Sequence, residues 1–335
     1  IAKSPSLGII NKGAYAELTT FDHYRFDNPY SLNTVDLCPV GALTSKDFRF
    51  QQRVWFLNKI NSICNLCATG CNIVIEYKNS RIYRITPKIN LEVNTYFMCD
   101  YGRLYYRKIQ ENYLLHSKIK GKILTNKREI SQFLQSLQKT QKALLILGQN
   151  MTMEELIATY LLIKQSDKNY FVYYKITNKG FLEATYSDNF LIDKDKNPNT
   201  KGLEMVTQKL PQDIKLSEEV ILNSDFDCIL VLDEFFYLRF EKQFLENFIR
   251  KFYNIIVYFS SLKNEYTEKL NNVIGVCGIY FKTGSFINKN NMLQRFDSVP
   301  SAHDTFSLLE VLKLLGLESI ETNYLWKIWE GSEAK

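Results

Sequence analysis

The sequence predicts an α/β protein in two parts: a small cysteine-bearing β-hairpin module, then a doubly wound, mostly parallel sheet. Three observations carry this expectation. Two short, β-branched runs, Asn72–Tyr77 and Arg81–Thr86, flank the turn-forming Lys78-Asn79-Ser80. From about 140 to 280, strand-sized apolar runs alternate with helix-sized amphipathic ones, the pattern of parallel βαβ units. Four of the seven cysteines are confined to Cys64-x2-Cys67-x3-Cys71-x27-Cys99.

At 335 residues the chain can bury a sizeable core and form two domains. Hydrophobic residues at 45% and charged residues at 23% are those of an ordinary globular protein. The net charge of +6 forms no basic stripe, so nucleic acid is not an expected partner. The longest apolar runs, Ala143–Leu147 and Ile229–Leu232, are strand-sized, far short of the roughly 20 residues of a membrane helix. Membrane contact is therefore expected only through partners. No signal peptide is visible, and closely spaced thiols of this kind suit a reducing compartment. The first residue is Ile1, which processing, truncation or a partial gene would each explain.

In chain order, Ile1 to Lys46 reads as loop-rich and ends in Val35-Asp36-Leu37-Cys38-Pro39-Val40-Gly41-Ala42-Leu43. A Cys-Pro followed by small residues is how the last ligand of a bacterial-ferredoxin motif reads, although Cys38 has no Cys-x-x-Cys-x-x-Cys before it. Alone it would be an inert buried thiol. Trp55, Phe56 and Leu57 are expected to pack against the cysteine module. Pro87 should end the second hairpin strand, because it cannot donate to a ladder. Cys99-Asp100 should open a helix over Tyr101–Gln110, placing the last sulfur where free backbone amides favour a thiolate.

Downstream, Ile130, Phe133, Leu134 and Leu137 recur at helical spacing behind a candidate cap, Asn126. Thr152-x-x-Glu155 is a capping box opening a helix to Gln165. Strands are predicted at Ala143–Leu147, Tyr170–Ile176, Phe226–Leu232, Asn254–Phe259 and Val273–Val276. Further helices fall at Ser217–Leu222, around Phe244–Phe252 and at Phe306–Leu315, and Asp193–Gly202 reads as a polar loop.

Thiolates spaced three on one turn plus a distant fourth can surround one inorganic cluster, and four cysteines are the usual ligands of [4Fe-4S]. A four-cysteine zinc site ordinarily pairs two Cys-x-x-Cys knuckles, whereas here the fourth cysteine stands alone. A disulfide framework needs an oxidising compartment. Iron is thus the better reading, with zinc and plain buried thiols still open. Arg81, Arg84, Lys88 and Arg103 could offset the cluster's negative charge, although for each alone solvated surface charge is the simpler role. His23, His116 and His303 are scattered and lack partner spacing. Asp233-Glu234 ends a strand, where α/β enzymes carry active groups, but reads more simply as a solvated strand end. Cys228 and Cys277 read as buried thiols in strands. No G-x-G-x-x-G or P-loop follows any strand, and Gly148-Gln149-Asn150 holds a lone glycine.

Val35–Leu43, Thr44-Ser45-Lys46, the four cysteines and Val93-Asn94-x3-Met98-Cys99-Asp100-x-Gly102-Arg103 together resemble one family. It is that of the 75-kDa iron–sulfur subunit of NADH-quinone oxidoreductase (respiratory complex I), in its bacterial and mitochondrial forms. The likeness continues at Asn197-Pro198-Asn199-Thr200-Lys201-Gly202 and at Gly284-Ser285-Phe286-Ile287-Asn288 with Gln294. It implies an iron–sulfur electron-transfer and scaffold subunit of the peripheral arm, passing electrons from NADH toward quinone beside the other arm subunits. The sheet would then be of the molybdopterin-oxidoreductase type without molybdenum. The resemblance divides the chain into 1–58, a remnant of a ferredoxin-like cluster domain, 59–110, a [4Fe-4S] domain, and 111–335, the α/β domain.

By the same resemblance Cys64, Cys67, Cys71 and Cys99 would hold one complete [4Fe-4S] cluster, lying off the main electron path. Cys38 would be the fourth ligand of a second cluster whose other ligands lie upstream. The family's [2Fe-2S] and histidine-cysteine regions are absent from this chain, implying a fragment or split product. The implied location is the cytoplasmic face of a bacterial inner membrane, peripheral, with the mitochondrial matrix side as alternative. Tyr101 stands where relatives carry Lys, Asn290-Asn291-Met292 where they carry E-G-R, and Phe281 replaces a preceding Glu, departures that argue against a bound pterin. The alternative function is a catalytic molybdenum or tungsten enzyme of the formate dehydrogenase type. Cys228, its sole metal-ligand candidate, falls in a strand. A zinc-stapled interaction module is the third reading.

Overall fold

Alternation of side chains along each strand decides the layering of this protein, described here from a computed structural model for residues 6–20, 25–180, 186–301, 303–317 and 326. His23 lies outside the described residues.

The segment before residue 58 is less loop-like than its composition suggests. It contains an antiparallel hairpin, β1 (Leu7–Ile10) with β2 (Glu17–Thr20), and a short helix α1 (Leu32–Leu37) ending at Cys38. The cysteine module follows as three antiparallel strands, β3 (Asn58–Ile63), β4 (Asn72–Lys78) and β5 (Arg81–Pro87), in that order. The register stacks Ile60, Ile75 and Ile85 across the sheet. Asn79 and Ser80 both adopt positive φ, the backbone a tight hairpin turn requires. The expected helix after Cys99 forms in two pieces, α2 (Asp100–Leu104) and α3 (Tyr106–Glu111).

Next come an edge hairpin, β6 (Ser117–Ile119) with β7 (Lys122–Leu124), and helix α4 (Lys127–Ser136), capped by Asn126. The α/β succession is β8 (Lys142–Leu147), α5 (Met153–Gln165), β9 (Asn169–Tyr174), α6 (Thr200–Gln208), α7 (Glu218–Asn223), β10 (Cys228–Val231), α8 (Phe236–Arg239), α9 (Lys242–Phe252), β11 (Ile256–Ser260), α10 (Glu265–Lys269) and β12 (Val273–Gly275). The Thr152–Glu155 capping box forms as predicted. The chain continues into a two-stranded sheet, β13 (Gly284–Ile287) with β14 (Leu293–Phe296), and helix α11 (Leu308–Leu314).

The large sheet runs β7-β6-β12-β11-β10-β8-β9, with β8 to β12 mutually parallel and β6 and β7 antiparallel at one edge. Period-2 alternation splits its core in two. Leu145, Leu230 and Val257 face α4, α5, α6 and α11, whereas Leu144, Ile229 and Ile256 face α7 and α9. Burial on both faces explains why these strands read as continuous apolar runs. The strand order reverses between β8 and β10, and such a reversal opens a crevice at the strands' carboxyl ends.

Candidate metal centre

A glycine and two asparagines shape the cysteine loop. The β3–β4 connection holds Cys64, Cys67 and Cys71, and is closed by Cys64 N–H donating to Cys71 O at 2.9 Å. Gly70 supplies the positive φ (63°) that the turn needs. Asn94, fully buried, brings the chain back. Its Oδ1 accepts from Asn72 N at 2.9 Å and its Nδ2 donates to Phe97 O at 2.9 Å, which sets Cys99 opposite the loop. Cys99 then caps α2, its Sγ accepting from Gly102 N at 3.4 Å.

All four thiols are buried. Cys71 feels the other three electrostatically, Cys64 feels Cys67 and Cys99, and Cys99 feels Cys67, so they occupy one neighbourhood. Burial, then the neighbouring sulfurs, push the Cys64 and Cys71 thiols well up, and burial pushes Cys99 up to about 12. A Cβ on Gly102 would lie 2.9 Å from Cys64 Sγ and 3.7 Å from Cys99 Sγ, so only glycine lets α2 come this close. Among the described residues no three His, Cys, Asp or Glu side chains gather tightly enough for a single metal ion.

The expected counter-charges are arranged differently. Arg103 is buried and not solvated: its Nη2 meets Asp36 Oδ2 at 2.6 Å, because α2 lies against α1. Arg84 pairs with Glu76, and Arg81 and Lys88 are exposed. The cation that favours the Cys71 thiolate is Lys289, in the β13–β14 turn, which sequence spacing did not single out. Its backbone N–H donates to Ala68 O at 2.8 Å, and its Nζ pairs with Asp193 at 3.1 Å. Trp55 and Phe56 do not enter the module's core; they are 72% and 54% exposed, Phe56 touching the module through Lys78 Nζ, 5.1 Å from its ring centroid, while Leu57 is buried.

Cys38 stands apart, at the C-terminal end of α1 beside a groove of ≈ 460 Å³ lined by Val40, Leu43, Phe48, Phe50 and Arg103 among others. The backbone amides of Leu43, then Val40 and Ala42, hold its thiol below the ordinary value. A small-residue loop of this kind turns its N–H groups inward onto one anion.

At the sheet's reversal point the acids expected to be solvated have partners instead. Asp233 is buried and ion-paired to Arg239, and a Cβ on Gly148 would strike Asp233 Cγ at 2.4 Å. Gly148 therefore serves acid packing at the end of β8 and not phosphate binding. Glu234 lines a cavity of ≈ 50 Å³ with Asn65, Asn150, Glu155, Cys277 and Lys282. Burial raises its pKa, against the Ser261 hydroxyl and amide that bond it. Cys277 is half-buried beyond β12, beside Thr305, and not a strand thiol; Cys228 is a buried strand residue as expected. His116 and His303 join none of these groups, His303 stacking on Tyr113.

The Asp193–Gly202 segment is largely buried, and its end already forms α6. Asn199 Nδ2 donates to Met151 O at 2.7 Å, and its Oδ1 accepts from Ile287 N at 2.8 Å. The β13–β14 hairpin is thereby tied to the reversal point and laid against the cysteine loop.

Residues 1–44 match the model of the NADH-quinone oxidoreductase subunit 3 ferredoxin-like domain, and residues 57–111 that of the molybdopterin oxidoreductase Fe4S4 domain. The chain is 36% identical over 152 residues to the NADH-ubiquinone oxidoreductase 75 kDa subunit of Reclinomonas americana, covering 44% of this chain and 22% of that protein. It is 40% identical over 107 residues to the mitochondrial 78 kDa subunit of Neurospora crassa, covering 30% and 14%. With the homologous NADH-quinone oxidoreductase subunit of Rickettsia prowazekii it shares 36% over 126 residues, covering 37% and 19%. The matches thus span less than a quarter of each relative's length.

Proposed function

We propose that this chain, a homologue of the 75-kDa subunit of NADH-quinone oxidoreductase, is an iron–sulfur electron-transfer and scaffold subunit of that complex's peripheral arm. The observation that carries the reading is the set of four buried, mutually interacting thiols at Cys64, Cys67, Cys71 and Cys99. Thiols whose ionisation burial opposes, as at Cys64, Cys71 and Cys99, are suited to a site where a metal cluster displaces their protons. Three sulfurs on one loop and a lone fourth at a helix start favour a multi-iron cluster over a zinc ion held by paired knuckles.

A [4Fe-4S] cluster held there supplies one-electron storage. Cys64, Cys67, Cys71 and Cys99 would hold it in a buried setting, with the Leu66 and Gly102 amides on the Cys64 and Cys99 sulfurs and Lys289 acting on Cys71. Cys38, with its loop of amides, is the fourth ligand of a second cluster completed by a neighbouring polypeptide segment. The domains are 1–58, 59–110 and 111–335, the last of the molybdopterin-oxidoreductase type. No helix among the described residues is long and apolar enough to cross a membrane. In this reading the protein meets the membrane through its partner subunits, at the cytoplasmic face or its mitochondrial equivalent.

A catalytic molybdenum or tungsten pterin enzyme is disfavoured by the reversal-point cavity. At ≈ 50 Å³ it has room for a few waters of about 10–15 Å³ each, whereas cofactor clefts run to about 300–1,000 Å³. The test is anaerobic isolation with iron, zinc and molybdenum assays and EPR of the reduced protein. About four irons per chain and a cluster signal, both lost in Cys71→Ser and Cys99→Ser, are expected. Zinc in place of iron overturns the reading, and stoichiometric molybdenum or tungsten replaces it with the pterin enzyme.

A further inference from the structure

Gln294 is buried on β14, opposite Phe286 of β13, and it reaches out of the α/β domain into the cysteine loop. Its Nε2 donates to Gly70 O at 3.0 Å and to Asn72 Oδ1 at 3.1 Å. The flipped amide would set Oε1 against two acceptors, so the orientation is fixed by chemistry. The strand paired with it is held in turn: Ser285 N and Oγ donate to Glu154 at 2.8 and 2.7 Å, and Ile287 N to Asn199.

The peptide joining Gly70 to Cys71 is planar and trans, so its C=O and N–H point in opposite directions. Anchoring the Gly70 carbonyl on Gln294 therefore aims the Cys71 N–H to the other side of the loop. We infer that Gln294 is a positioning residue for the electron carrier: it holds the Gly70–Cys71 peptide so that the Cys71 amide dipole faces the cluster's sulfurs. This rests on the [4Fe-4S] reading of the four cysteines. Amide hydrogen bonds to cluster sulfur stabilise the reduced, more negative state, so the contact raises the reduction potential. The α/β domain thereby sets the electronic property of a cluster whose ligands all lie outside it.

The test is an EPR-monitored redox titration of the anaerobically isolated, iron-loaded chain and its Gln294→Met variant, which keeps the volume and loses the donor. The variant is expected to keep its iron, with a lower midpoint potential. The predicted shift is about threefold or more in the one-electron equilibrium, about 30 mV at about 59 mV per tenfold. Gln294→Leu removes the same donor with a different apolar side chain and leaves the loop's own residues untouched, and the same downward shift is expected. An unchanged potential in whichever variant keeps its iron overturns the inference, and so does loss of iron from both, which would make the contact one of folding alone. Wild-type protein without iron or a cluster signal overturns the function proposed above instead.

Discussion

Arg239 Nε donates to Asp233 Oδ2 at 2.9 Å, with the two side chains 2% and 0% exposed. The guanidinium also reaches Thr177 Oγ1 at 3.1 Å and Asn197 Oδ1 at 3.0 Å, so one ion pair joins the ends of β9 and β10 to the Asn197 loop. Removing one partner leaves the other charge buried and alone. Asp233→Ala is expected to cost about 3–5 kcal/mol in denaturant unfolding, and the double Asp233→Leu, Arg239→Met change clearly less.

Gly102 is where the helix after Cys99 touches sulfur. Gly102→Ala puts a methyl 2.9 Å from Cys64 Sγ, and something must move. Overpacking of this kind costs about 1–3 kcal/mol. Reduced iron per chain and a lower thermal midpoint are the expected measurements.

Arg103 and Asp36 bind the cysteine module to the helix carrying Cys38. Asp36 is 31% exposed, so the pair is worth less than a fully buried one, about 2 kcal/mol. Arg103→Met should leave the core sheet's stability unchanged, while limited proteolysis cuts before residue 57 about tenfold faster or more.

Glu234 makes stability depend on pH. Its folded pKa lies above the ordinary value of 4.5, so between the two values the folded state binds more protons than the unfolded. Stability then falls as pH rises through that window. Glu234→Gln should stabilise the protein at neutral pH and lose the advantage toward pH 4.5. Denaturant titrations of both proteins at several pH values measure this. Asp195 and Asp100, raised in the same direction by burial, are common to both and cancel in the difference.

Which parts were legible follows from where the information lies. Alternating apolar runs report burial directly, so all five parallel strands and the Thr152 cap were readable from local residues. The cysteine hairpin was readable for the same reason. Asp233-Glu234 misled because an acid's partner cannot be seen from its own neighbours, and Arg239 turns back from α8 to bury Asp233. Trp55 and Phe56 misled in the opposite sense, since an aromatic pair looks like core until its surroundings are known.

By itself the sequence determined the periodicities, the sulfur spacing and thereby the kinds of element and of ligand available. Only the tertiary structure brought Gln294 against Gly70, 224 residues earlier in the chain, and Lys289 against Ala68, with Asn199 holding the hairpin that carries them. The physical reason is that hydrogen bonds and charges act over a few ångströms of space. Local patterning fixes which segments form, but only the packing of one sheet against another fixes which polar groups meet.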